Sequence, residues 1–121
     1  MKFQEKNFHD IHEINGNFKG KSIWIAGSDP TLDTYPQSFF DDKISITLHL
    51  AHLKFPAATF RYSSEYDRST YLAKFRNEYA TLPLIAAYPM YGKTKEETKT
   101  LLSGFNTVYF HKMVNPTFLI I

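Results

Sequence analysis

The chain has 121 residues, 43% hydrophobic and 17% aromatic, which suits one domain burying roughly two thirds of its unfolded surface and excludes a disordered or low-complexity segment. Its 14 Lys and Arg against 12 Asp and Glu leave a net charge of +2 with no long run of either sign, which disfavours binding along an extended nucleic acid. With no cysteine there is no disulfide, thiolate metal ligand or cysteine nucleophile, and no stretch approaches the roughly 20 apolar residues of a transmembrane segment.

Met1 to Asn17 is polar and carries both charge signs rather than an apolar leader, so a soluble, cytoplasmic protein is the expectation. Phe8, Ile11 and Ile14 recur at helical spacing, which predicts a short N-terminal helix stopped by Asn15, Gly16 and Asn17. Ser22 to Ala26, bounded by Lys19-Gly20-Lys21 and Gly27, reads as a strand buried on both faces. Further strands are predicted over Ile44 to Leu50, Thr59 to Tyr62, Leu82 to Ala87, Thr107 to Phe110 and Thr117 to Ile121.

Leu72, Phe75 and Tyr79 mark one face of a helix from about Asp67 to Tyr79. Thr94 and Glu97 have capping-box spacing, Leu101 and Leu102 supply an apolar face, and Gly104 stands where a C-cap belongs. Strands alternating with helices predict an α/β fold, a Rossmann-like three-layer sandwich around a mostly parallel sheet. The whole of 1–121 is expected to be one domain; because its apolar end, Phe118 to Ile121, has nothing after it to cover it, the domain is expected to be truncated there.

In open α/β sheets ligands bind beyond the carboxyl ends of strands, so the loops after the predicted strands are where chemistry is expected. After the Ser22–Ala26 strand come Gly27, Ser28, Asp29, Pro30 and Thr31: a glycine for a sharp turn, an N-cap carboxylate, and a proline suited to the first helical position. The free N–H groups of such a helix start attract phosphate; the same residues also make a plain strand-to-helix turn, with Asp29 as its cap or as a ribose acceptor.

His49 lies at the end of the next strand. His49 and His52 form an HxxH, as do His9 and His12, but positions three apart on a strand face opposite sides, against joint metal binding. Ser63 to Arg68 reads as a helix start capped by Ser64, in which Glu65 or Asp67 can meet ribose, a sugar hydroxyl or a metal-bound diphosphate, with Arg68 as a phosphate partner. Tyr88 to Lys93 reads as a loop with aromatics for stacking, or simply a packed loop. His49 and His111 are the candidate bases, His111 if it faces the cleft.

The run from Phe18 through Gly27-Ser28-Asp29-Pro30-Thr31-Leu32 resembles the opening of the bacterial sialyltransferases and of the related hydroxymethylpterin diphosphokinase-like family (DUF115), in which a strand leads into Gly-x-Gly-Pro-Ser-Leu. Asp29 replaces the second glycine, Thr31 replaces the serine, and His49 falls near the place of a family asparagine. The resemblance implies a nucleotide or nucleotide-sugar substrate rather than a permanently bound cofactor, with Mg2+ accompanying a diphosphate, and a glycan acceptor in surface-glycan synthesis. A diphosphokinase-like transferase and a non-catalytic binding module are the alternatives.

Overall fold

The computed structural model describes residues 1–27, 33–48, 51, 54–65 and 83–112, with the backbone alone for 64 and 65. The predicted helix over 67–79 and the predicted strand over 117–121 lie outside the described residues.

Six strands, β1 (Phe8–Asp10), β2 (Ile23–Ala26), β3 (Ile44–Leu48), β4 (Phe60–Glu65), β5 (Leu84–Tyr91) and β6 (Val108–Lys112), form one sheet in the order β1-β6-β5-β4-β3-β2. Every neighbouring pair is parallel. This is the expected Rossmann-like α/β architecture. Its order is its own: from β2 to β6 each strand sits beside the one before it, and β1 lies beyond β6.

Alternation along β5 divides the core between the two faces of the sheet. Leu84, Ala86, Tyr88 and Met90 join Phe8, Val108, Phe110, Leu102 and Phe105 on one face. Ile85 turns to the other, with Ile46, Phe60, Ile11 and Ile14. Leu84 to Ala87 are fully buried, as a central parallel strand requires.

Consecutive right-handed crossovers that all step in one direction lie on one face. That face carries helix α1 (Lys95–Leu102) and a cluster of Ala26, Phe40, Ala51 and Phe55. The chain between β1 and β2 instead runs across the opposite face, pressing Ile11, Ile14 and Phe18 onto it.

Sequence patterns and tertiary pairing part company in several places. Phe8 is not helical: Phe8 to Asp10 pair with Val108 to Phe110, and only Ile11–Ile14 coil, as a 3-10 turn. Pairing with β6 outweighs the propensity of three spaced apolar residues. The stop at Asn15 and Gly16 is as expected, Gly16 having φ +84°.

The Ile23–Ala26 strand is not buried on both faces, because its place at the end of the strand order leaves Trp24 45% and Ile25 64% exposed. Position in the sheet, which a short apolar run does not encode, decides this. β4 continues through Ser63 and Ser64 to Glu65, and β5 through Tyr88 to Tyr91, because Glu65 and Tyr91 pair beyond a bulge. The polar signal that suggested a helix start capped by Ser64 and the proline signal that suggested a loop from Tyr88 both yield to that pairing.

Helix α1 follows its sequence signals closely. Thr94 accepts from the Glu97 N–H at 3.1 Å while Glu97 accepts from the Thr94 N–H at 3.1 Å. The cap at the other end is Ser103 rather than Gly104, its hydroxyl donating to the Thr100 carbonyl at 3.0 Å. A serine that satisfies a last-turn carbonyl does the work a left-handed glycine would otherwise do.

Candidate functional site

In a parallel sheet all carboxyl ends share one edge, and a crevice opens where the connections leaving neighbouring strands depart to opposite faces. Here the chain leaves β5 toward the face of α1 and leaves β1 toward the opposite face. The carboxyl end of β6 lies between them. A cleft of about 460 Å³ occupies this position, lined by Asp10, His12, Tyr88, Pro89, Lys95 and Lys112 together with Met1.

Each lining residue is placed by an identifiable local cause. Asp10 ends β1 and starts the 3-10 turn, accepting from the His12 N–H at 2.9 Å while its own N–H donates to Glu13 at 3.1 Å. The same Asp10 oxygen lies 2.8 Å from His12 Nδ1. The carboxylate therefore selects the His12 tautomer that donates through Nδ1 and leaves Nε2 to accept. The His12 side chain is 80% exposed, so that nitrogen can meet a ligand.

Burial pushes the Asp10 carboxyl up, but hydrogen bonds from the terminal ammonium, 2.7 Å away, and from His12 outweigh it and hold the pKa at about 2. The negative charge of Asp10 is thus already matched within the protein. Lys95 and Lys112 then leave the cleft attractive to an anion. Lys95 stands with its Nζ 5.5 Å from the Tyr88 ring centre, a cation over an aromatic face. Such a group can hold a phosphate or carboxylate and set a histidine beside it.

The residues expected from sequence are distributed differently. Gly27 stands at the carboxyl end of β2, at the opposite side of the sheet from β1. Four strand spacings separate β2 from β6, about 19 Å. The Gly27 backbone is not in the left-handed region, and an added Cβ would meet nothing within 4 Å, so packing does not demand glycine there. Ser28, Asp29, Pro30, Thr31, His49, His52, Asp67 and Arg68 lie outside the described residues, and Glu65 is placed by its backbone alone at the end of β4.

His111 belongs to β6 rather than following it and is 3% exposed. Its ring stacks on Tyr62, with centroids 5.6 Å apart and planes 20° from parallel, and Nε2 lies 3.0 Å from the Tyr62 hydroxyl. Nδ1 lies 3.3 Å from the Lys112 carbonyl. The ring therefore donates through Nδ1 and accepts the phenolic proton at Nε2. Burial holds its pKa below the ordinary histidine value, against a smaller pull upward from the Lys112 carbonyl. It is not among the residues lining the cleft, whereas its neighbour Lys112 is.

Tyr88 is packed rather than part of a loop, its ring 4.7 Å from that of Phe110, while Tyr91 is exposed. His9 and His12, the other HxxH pair, are each beside a carboxylate, Glu13 and Asp10 respectively. Among the described residues no group of three His, Cys, Asp or Glu is placed to hold a metal ion, and no helix is long and apolar enough to cross a membrane.

The sequence pattern joins His12 to His9 as an HxxH rather than to Asp10. The available signal was Asp10 followed by Glu13, a capping-box spacing that announces a turn beginning at Asp10. Lys95 and Lys112 carried no signal, since lone lysines at element ends are common. Compared with known proteins, the chain matches no protein-family model, no curated protein and no solved structure.

Proposed function

We propose that the chain is the nucleotide-binding α/β part of a cytoplasmic transferase that uses a nucleotide-sugar in surface-glycan synthesis. The observation that carries this reading is the crevice at the carboxyl end of β6, with two lysines beside a carboxylate-held histidine. Parallel α/β sheets bind phosphorylated ligands at such a place. The resemblance of the Phe18–Leu32 run to sialyltransferases supplies the reaction class.

In this reading Lys95 and Lys112 hold the donor phosphates, and Tyr88 with Pro89 forms the wall against which the ligand lies. His12, oriented by Asp10, accepts the proton of the acceptor hydroxyl as the glycosyl bond forms and the nucleotide leaves. Mg2+ would accompany a diphosphate donor. Gly27, Ser28, Asp29, Pro30, Thr31 and His49, carried by the resemblance, and Glu65, Asp67 and Arg68, read from the polar stretch after the third predicted strand, form the competing set.

The test is calorimetric titration of the chain with CMP, UDP, GDP and ATP, with and without Mg2+, repeated for Lys95→Ala/Lys112→Ala and for Asp29→Ala/Asp67→Ala. Binding of a cytidine or uridine nucleotide, weakened at least tenfold by loss of the two lysines, is the expected result. Weakening by the second pair alone moves the site to β2–β4. ATP binding alone turns the reading to a diphosphokinase-like transferase, and no binding by folded protein turns it to a non-catalytic module.

A further inference from the structure

Among the described residues β2 has a neighbouring strand on one side only, β3. Its outer side presents main-chain N–H and C=O groups that a further strand can pair with. Natural edge strands are usually blunted by a lysine, a proline or a bulge. Ile23-Trp24-Ile25-Ala26 contains no charge and no proline, and it exposes large apolar side chains to both faces of the sheet.

On one face stands Trp24, edge-on to Phe39 at 5.7 Å and forming, with Tyr35 and Phe39, part of a shallow apolar hollow of about 150 Å³. On the other face stands Ile25, 64% exposed. A single small ligand in the hollow, which Ile25 also borders, would cover side chains but leave the outer main-chain groups of β2 unpaired. A strand laid along the edge covers both.

We infer that the edge of β2 is the interface of a two-fold dimer, in which a second copy of this chain pairs its own β2 antiparallel to the first and continues the sheet. Three observations favour a second copy over another partner. An axis through Trp24 sets Trp24 against its counterpart and Ile23 against Ile25 of the other copy, so apolar residues meet apolar residues on both faces. The sequence before β2 is basic, with Lys19 and Lys21, and the first described residue after the β2 turn, Asp33, is acidic and exposed. Antiparallel pairing brings the basic flank of each copy alongside the acidic flank of the other, whereas parallel pairing sets like charges together. A two-fold arrangement also closes, leaving no second copy of this edge to template further association.

A four-residue strand spans only about 13 Å, so the pairing alone is short and the aromatic hollow must add area. The resulting dimer is weak and concentration-dependent, at the low end of specific interfaces. The edge lies on the side of the sheet away from the β6 cleft, so this inference stands or falls independently of the proposed ligand.

The experiment follows mass by light scattering from low to several hundred micromolar protein, together with fluorescence of Trp24, the single tryptophan in the chain. The expected result is a rise from 14.1 kDa to twice that mass, with a blue shift and reduced acrylamide quenching of Trp24 along the same concentration curve. Ile25→Lys, at an exposed position, is expected to keep the circular dichroism spectrum and the monomer mass at all concentrations. Lys19→Glu/Lys21→Glu is expected to weaken the dimer and to do so less at high salt. A mass that stays at 14.1 kDa throughout overturns the inference, as does a dimer in which Trp24 remains fully quenchable or which survives Ile25→Lys.

Discussion

His12 Nδ1 and the main-chain N–H of His12 converge on one oxygen of Asp10, at 2.8 and 2.9 Å. One carboxylate thus begins the turn after β1 and orients the ring that stands in the cleft. Asp10→Ala is expected to cost about 1 kcal/mol through loss of the cap, measured by urea unfolding. Asp10→Asn, which keeps an oxygen acceptor for the His12 N–H, is expected to cost less. Equal losses in the two variants would mean that the carboxylate's charge, rather than the cap, supplies the stability.

The depressed Asp10 pKa sets a direction for acid stability. The folded value of about 2 lies below the ordinary aspartate value of 3.8, so the folded state favours the ionised form. The stability this contributes is complete above 3.8 and disappears as pH falls through about 2. Unfolding midpoints measured from pH 5 to pH 2 should fall more steeply in the native chain than in Asp10→Asn. Parallel curves would show that Asp10 titrates normally.

His111 acts at milder pH. Burial lowers its pKa below 6.5, so the unfolded chain binds the proton first as pH falls. Its contribution is therefore full above 6.5 and lost as pH drops through the lower folded value. Nitrogen-resolved NMR is expected to show a neutral ring protonated at Nδ1 near neutral pH. Tyr62→Phe removes the hydroxyl 3.0 Å from Nε2 and should cost about 1 kcal/mol. An Nε2-protonated ring would refute the assigned direction of that hydrogen bond.

Thr98 joins α1 to β5 through one hydroxyl. It accepts from the buried Met90 N–H at 3.0 Å and donates to the Thr94 carbonyl at 2.8 Å. Thr98→Val keeps the shape but leaves that N–H without its acceptor, a loss of about 1–3 kcal/mol. Thr98→Ser should recover most of it. If valine and serine variants unfold at the same denaturant concentration, packing of the methyl group is what matters at this position.

The sequence alone was sufficient for what depends on neighbours along the chain. The Thr94–Glu97 cap, the Gly16 stop and the buried run in β5 follow from residues close in sequence, whose hydrogen bonds and apolar alternation need no distant partner. The class of the fold follows as well, because helices between short apolar runs leave few alternatives to a parallel sheet. Tertiary structure decided the rest: that Phe8 joins a strand beside Val108, that Trp24 and Ile25 stand at an edge, and that Asp10, Lys95 and Lys112 meet at one cleft. The reason is physical. Strand order is set by pairing between segments as far apart as β1 and β6, and no local pattern records which strand a given edge will meet.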